Sequence, residues 1–391
     1  MRILLAYSGG LDTSYLVATL AEAGHDVIAC TVDCGGLDDP ARQHLHDHGL
    51  ALGAKEVRCI DARDRLYQDV LRWLIAGNVR RGGVYPLCVG AERGLQAAVL
   101  AEAASEENFD ALAHGCTSAG NDQIRFEAAL AVLAPGLKIM APIREQPVAR
   151  ADQVAWLKNR QLPVPGKGDL YSINAGLWGL TIGGGPLLQS REGLPEHAWQ
   201  WTEDAHQSAE LCVEFEYGQP VAINGAHLPA VELIEQLNQL GGACGVGRGY
   251  HLGDTILGIK GRIAFEAPAA EILLTAHSEL EKLVLTEDQR FWKDHLGEVY
   301  GRNIHQGLSM APLQRDFEAL FQSSQQRVHG EVYLNLADGK LQVTGLQSPH
   351  SLMQASDAIY GEAPATDADP NAPLAFARVL AEPARLYSSV S

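Results

Sequence analysis

The sequence predicts an α/β fold: a doubly wound parallel sheet over residues 1–165, a second domain of α+β character over 166–355, and a C-terminal tail over 356–391. Three observations carry this expectation. Short apolar runs alternate with helical patterns through the first half, and the first two runs are about thirty residues apart, the length of a strand–helix–strand unit. A break at 162–169, Leu-Pro-Val-Pro-Gly-Lys-Gly-Asp, stops any helix there. Beyond it come alternating strands, hairpin signals and long helices. A chain of 391 residues also exceeds one ordinary core, so two domains are the natural division.

In order, residues 3–6 form a buried strand, and Tyr15, Leu16, Ala18, Leu20 and Ala21 fill one broad face of the helix after it. Residues 27–32 are the second strand. A polar turn at 33–39 leads into a helix ending near Gly53, and residues 56–60 are the third strand. Helical stretches at 63–75 and 91–105 precede a strand at 109–113. A second glycine-containing loop follows at 114–122, then a helix at 123–133 and a short strand at 138–141. Such alternation implies parallel strands joined by crossovers, with ligands bound beyond the carboxyl ends of the strands. The loops at 8–14 and 114–122 both occupy such ends, so they should share one cleft. In the second half, Val213, Phe215 and Tyr217 alternate with Glu214 and Glu216, which predicts a strand within 212–224 and a turn at 218–220. Residues 241–253 read as a glycine-heavy loop near a ligand, and 270–301 as largely helical. Residues 331–336 and 340–346 make a hairpin around Asp338-Gly339. The tail, Pro/Ala-rich from about Glu362, ends in an apolar piece at 374–386 that either packs on a partner subunit or frays.

A formal charge of −18 argues against nucleic acid, whose phosphates want a basic surface. The seven cysteines are odd in number and contain no Cys-x-x-Cys pair, which disfavours a disulfide framework or a zinc site and fits a reducing cytoplasm. No signal peptide and no apolar run of membrane length stands out, so no membrane association is expected.

The chemistry concentrates at Leu4-Leu5-Ala6-Tyr7-Ser8-Gly9-Gly10-Leu11-Asp12-Thr13-Ser14. Strand, tight loop and helix follow one another. Glycines let the backbone approach a ligand and expose N–H groups, and the helix start aims its unpaired N–H groups and positive dipole end at the same point. Ser8, Thr13 and Ser14 add hydroxyls. This is an anion site, yet neither a Walker A loop nor a dinucleotide fingerprint. Ser-Gly-Gly-x-Asp-x-Ser resembles the pyrophosphate loop of the ATP pyrophosphatase superfamily, whose members split ATP into AMP and pyrophosphate to adenylate an oxygen. The second loop and its helix, His-Gly-Cys-Thr-x-x-Gly-Asn-Asp-Gln-Ile-Arg-Phe-Glu from His114, closely resemble the aspartate- and citrulline-binding segment of the argininosuccinate synthases. The likeness continues at 141–144, 171–174, 245–248 and 258–262, in matching order as far as about Leu352.

The resemblance implies a nucleotide-binding first domain, a synthetase domain and an oligomerisation tail in a cytoplasmic, tetrameric ligase that uses ATP with Mg²⁺ and holds no resident metal. Citrulline's ureido oxygen would attack the α-phosphate, and aspartate's amine would then displace AMP. Carried onto this chain, Ala6, Tyr7, Ser8, Gly9, Gly10, Leu11, Asp12, Thr13 and Ser14 would hold ATP. Val32 and Gly115 would also lie at the nucleotide. Thr117, Asn121 and Asp122 would bind aspartate, with Asn121 reaching citrulline as well. Tyr85, Arg125, Ser172 and Thr181 would contact citrulline, Arg125 by its two-pronged grip on a carboxylate. Asp12 and Arg125 are the nearest to catalytic groups, since the reaction needs positioning and charge stabilisation and no side-chain nucleophile.

The chain departs from the family pattern at several positions. Thr181 and Gly90 stand for Ser, Gly253 for Glu and Phe265 for Tyr, while Ser118 and Ala119 replace a Gly and often a Lys. Asp254 is the expected substitute for the missing carboxylate. The rivals are a ligase joining aspartate to a different ureido or carbonyl acceptor, and a nucleotide-binding relative without catalysis. Other polar groups read more plainly. His44, His46 and His48 suggest a solvated helix end more than a metal site, and Cys116 suggests packing. Asp12 suggests a helix cap and loop geometry somewhat more than help to Mg²⁺. Lys260 and Arg262 suit a substrate anion or a surface pair equally.

Overall fold

The computed structural model describes residues 1–166, 170–202 and 207–390. The predicted break at 162–169 therefore falls partly outside the described residues, at Lys167, Gly168 and Asp169.

The first half is a wound sheet. Strand β1 (Arg2–Ala6) buries Ile3, Leu4 and Leu5 completely, as a strand covered on both faces must. Helix α1 (Leu11–Glu22), strand β2 (Asp26–Asp33), helix α2 (Asp39–Ala51) and strand β3 (Glu56–Asp61) follow. The Asp38 carboxylate caps α2 through the Ala41 N–H at 2.8 Å. A helical passage comes next: α3 (Arg63–Leu66), a π-type turn over Tyr67–Leu71, and α4 (Arg72–Ala76). The half is completed by α5 (Cys88–Glu106), β4 (Ala111–Ala113), α6 (Asp122–Leu133), β5 (Lys138–Met140), α7 (Pro142–Glu145) and α8 (Arg150–Asn159). The strands run parallel in the order β3-β2-β1-β4-β5. The winding reverses at β1, so the loops after β1 and β4 flank the switch point where such sheets bind ligands.

The second half holds two antiparallel sheets. Strands β6 (Tyr171–Gly176) and β7 (Gly179–Gly184) form a hairpin. Strands β8 (Ser208–Glu216), β9 (Gln219–Ile223) and β10 (Ala226–His227) lead to α9 (Ala230–Ala243). Strands β11 (Arg248–Asp254) and β12 (Lys260–Glu266) form a second hairpin that joins the first, giving a sheet ordered β11-β12-β7-β6. Helices α10 (Pro268–Val284), α11 (Glu287–His305) and α12 (Pro312–Ser324) precede β13 (Gly330–Ala337) and β14 (Lys340–Gln347). These close the other sheet as β10-β9-β8-β13-β14. Helix α13 (Ala372–Ser389) ends the described chain.

The expected helix at 270–301 is two helices, because Thr286 and Gln289 form a reciprocal capping box that starts α11 anew. The expected glycine loop at 241–253 is the end of α9, a short turn and β11. Its glycines answer packing: a Cβ on Gly242 would lie 2.6 Å from the Trp201 carbonyl oxygen, and one on Gly249 would lie 2.2 Å from the Phe265 ring. The turn expected at 218–220 is centred on Tyr217 and Gly218, both at positive φ, and Pro220 is already within β9. The hairpin at Asp338-Gly339 has both residues at positive φ, as a tight two-residue turn requires.

Packing crosses the midpoint of the chain. Leu66, Leu71 and Leu74, from the helical passage of the first half, share one core with Phe215, Leu273 and Phe321 from the second.

Candidate active site

The loop between β1 and α1 is locked from within. Thr13 Oγ1 donates to the Gly10 carbonyl at 3.1 Å and stands 3.2 Å from Ser8 Oγ. Gly9 has φ +73°, and a Cβ there would lie 2.3 Å from Leu45 Cδ2. The Ser14 hydroxyl turns away from the cleft to the Gly9 carbonyl and to His48 Nε2, 3.1 Å away. Of the three histidines read as a solvated helix end, His44 and His46 are exposed, whereas His48 is buried, with His44 stacked on it. Asp12 does not cap its helix. Its Oδ1 accepts from Gln153 Nε2 at 2.8 Å, tying α8 to the loop.

The loop after β4 meets this one. A Cβ on Gly115 would lie 3.0 Å from Thr13 Cγ2. His114, buried behind it, accepts the Cys116 N–H at Nδ1, so Nε2 is left to donate to Glu127 at 3.2 Å. Burial lowers the His114 pKa, which keeps the ring neutral. Cys116 packs in the loop, its thiol pushed up to about 12 by burial.

A cleft of about 1450 Å³ lies between the two loops and β6. Ala6, Tyr7, Ser8, Gly10, Leu11, Asp12, Thr13, Val32, Gly115, Thr117, Asp122 and Ser172 line it. Gly9, Ser14, Tyr85, Asn121, Arg125 and Thr181 do not line it. Asp122 is the electrostatic hinge of the site: its two oxygens take Arg125 at 2.9 Å and Arg93 at 3.0 Å. Burial would raise its carboxyl, but the two guanidinium groups hold it below the usual range.

Arg125 is committed more fully than expected. Besides Asp122, it donates to the His305 carbonyl at 3.0 Å and stands 3.0 Å from His305 Nδ1. Asn121 Oδ1 accepts the Ile256 N–H at 2.8 Å, which docks the tip of the β11–β12 hairpin on the second loop. Tyr85 is buried between His251 and Phe265, with ring centroids at 5.3 and 5.2 Å. By register, Ser172, Asn174, Thr181, Phe265, His251 and Gly253 share one face of the four-stranded sheet. A Cβ on Gly253 would lie 2.5 Å from His251 Nε2, which itself is 3.0 Å from Arg81. Asp254 does not replace the missing carboxylate: it pairs with Lys260 at 2.7 Å at the surface, and its carbonyl takes Arg81 at 2.6 Å. Arg262 is engaged by the carbonyls of Gln189 and Glu192, so the pair at 260 and 262 serves the protein surface.

Two models of this family's domains match the chain: the arginosuccinate synthase N-terminal HUP domain over residues 2–163 and the arginosuccinate synthase C-terminal domain over residues 171–387. The chain belongs to the argininosuccinate synthase family. The argininosuccinate synthase of Staphylococcus saprophyticus is 39% identical over 92% of this chain and 90% of its own length. That of Methanocaldococcus jannaschii is 39% identical over 89% of each chain, and that of Dehalococcoides mccartyi 38% identical over 100% of this chain and 96% of its own. The matched HUP domain is the parallel-sheet half, and the C-terminal match covers the antiparallel half.

The sequence singled out neither Glu92, Arg93, Gln153, His251 nor His305. The one available signal was Glu92-Arg93, an isolated charged pair inside the apolar stretch that became α5. The others act across distances no local motif encodes.

Proposed function

We propose that this chain joins citrulline to aspartate with ATP, through a citrullyl-adenylate, giving argininosuccinate, AMP and pyrophosphate in arginine biosynthesis. What carries the reading is the meeting of two family-specific loops in one cleft at the sheet's switch point, so close at Gly115 that a Cβ there would stand 3.0 Å from Thr13 Cγ2. Backbone N–H groups from Ser8 to Thr13 would hold the phosphates, with the adenine end at Val32 and the nucleotide flanked by Gly115. Thr117 and Asn121 would take the carboxylates of aspartate and Asp122 its ammonium. Tyr85, Arg125, Ser172 and Thr181 would surround the acceptor, and Arg125 would exchange part of its grip on His305 for the acceptor carboxylate. Among the described residues no group of three or more His, Cys, Asp or Glu side chains gathers to hold a metal. Mg²⁺ would therefore enter with ATP, with Asp12 the acidic side chain at hand on the loop.

No described helix is long and apolar enough to cross a membrane. A cytoplasmic setting suits the seven free cysteines. Helix α13 buries no residue and exposes Leu374, Phe376, Val379, Leu380 and Tyr387. That is the surface of an oligomerisation tail, and a homotetramer suits the family.

A second reading rests on one observation. Gly90, Gly253 and Phe265 each lack a polar group of the family's acceptor pocket, and His251 with Arg81 fills the space beside Gly253. A ligase coupling aspartate to another ureido or carbonyl compound would look this way. Release of AMP and pyrophosphate from ATP, aspartate and citrulline decides. Turnover only with another acceptor selects the second reading, and ATP binding without turnover on any acceptor would leave a non-catalytic relative.

A further inference from the structure

Among the described residues the roles above leave two carboxyls in the cleft wall unused: Asp33, held by Arg42 and the Gly35 N–H, and Glu92. Glu92, on α5, is 1% exposed, and its Oε1 finds no hydrogen-bond partner among the described residues. It lines the cleft beside Arg93, Gln96 and Cys34. The chain makes room for it: a Cβ on Gly176 would stand 1.8 Å from Glu92 Oε1. Gly176 alternates in register with Ser172 and Asn174, so the carboxyl sits at the foot of the sheet face that carries Ser172 and Thr181. A desolvated, unpaired oxygen beside a substrate cleft is costly until a donor reaches it. The obvious internal donor, Arg93, is spent on Asp122 and Gln96.

We propose that Glu92 holds the N–H side of the acceptor's ureido group and balances the positive charge that develops there as the ureido oxygen is adenylated. This rests on the ligase reading above. In that step the bond between the ureido oxygen and the α-phosphorus forms. The bond from that phosphorus to the bridging oxygen breaks, and its electron pair leaves with pyrophosphate. The oxygen's donated pair leaves the N–C–N unit positively charged, and its N–H proton stays on nitrogen, hydrogen-bonded to the carboxylate. A carboxylate fixed against that unit is worth most where charge builds. The acceptor class follows: it must carry N–H beside the nucleophilic oxygen, as ureido and amide compounds do and a ketone or a bare acid does not. Burial pushes the Glu92 carboxyl well above its ordinary range. The groups facing it are Arg93 on α5, Asp33 at the end of β2, Asp122 at the start of α6, and the neutral Cys34, Cys88 and Tyr85.

Exchange of labelled pyrophosphate into ATP, run with the full chain, citrulline and no aspartate, reads adenylation alone. Glu92→Gln should lower acceptor-dependent exchange by about a hundredfold, leave ATP affinity unchanged, and abolish the parent's rise in exchange with increasing pH. Gly176→Ala, which evicts the carboxyl without removing it, should give the same loss with ATP affinity kept, at a somewhat lowered melting temperature from the overpacking, and it decides the matter if Glu92→Gln does not fold. Exchange in both variants within about twofold of the parent overturns the assignment and leaves the ligase reading standing. Loss of ATP binding in both overturns it in favour of a structural role. No exchange in the parent with citrulline or any other ureido compound overturns the ligase reading and this assignment together.

Discussion

Gly9 is glycine for two separate reasons, its φ of +73° and the Leu45 methyl 2.3 Å from where a Cβ would go. Gly9→Ala should distort the loop, raise the KM for ATP at least tenfold or so, and cost about 1–2 kcal/mol of stability through the backbone alone. Steady-state kinetics with denaturant melts check both. Asp122 is placed differently, as the acid between two arginines. Asp122→Asn should weaken aspartate more than ATP, by about 2 kcal/mol or more of binding, since the ammonium of aspartate loses its carboxylate partner; a KM for aspartate equal to the parent's would refute that role. At this scale the sequence was readable where a motif is contiguous: the loops at 8–14 and 114–122, expected to share one cleft, do border the same one. It was unreadable where a side chain answers a distant one. Nothing near Ser14 in the sequence announces that its hydroxyl meets His48, thirty-four residues on. Asp254 looked like a substitute carboxylate until Lys260 took it across the hairpin.

Among the elements, α4, α10 and α11 are tied by a buried polar knot. Lys293 is fully buried, with Nζ 2.6 Å from Glu281 and 3.1 Å from the Ala76 carbonyl, while Gln325 and Asn78 also donate to Glu281. Lys293→Met strands the Glu281 carboxylate and should destabilise the fold by about 3–5 kcal/mol, read as a lowered urea midpoint. The end of α11 adds a pH effect. Burial first, then Arg125 and Arg81, push the His305 pKa from 6.5 down to about 4. An unfolded histidine titrates near its ordinary value, so between about 6.5 and 4 the unfolded chain binds the extra proton. The stability from His305 is thus full above that window and lost as pH falls through it. His305→Gln should flatten this acid limb of the urea midpoint, and a curve parallel to the parent's would count against it. Strands and helices with strong periodicity were legible, including every strand of the parallel sheet. Glycine-rich α9 and β11 were not, because glycines chosen for close packing against Pro268, Trp201 and Phe265 look the same in sequence as glycines chosen for a turn.

For the molecule as a whole, the tail is the exposed debt of the monomer. Ending the chain at residue 361 removes α13 and its bare apolar face. If that face is the oligomer contact, light scattering of the shortened chain should report a smaller assembly with cleft chemistry per chain intact; an unchanged mass would mean the contact lies elsewhere. Division into two halves was visible in the sequence as a change of pattern, whereas the sharing of a core between them was not, since no local signal says which half a buried leucine will serve.

That sharing limits how the enzyme can breathe. Swinging the nucleotide half away from its neighbour would drag Leu66, Leu71 and Leu74 out of hydrocarbon and into water. Traffic of reactants and products falls to the rim, where the hairpin tip is pinned by hydrogen bonds, from the Ile256 N–H to Asn121 and from Arg81 and His305 to the Asp254 carbonyl.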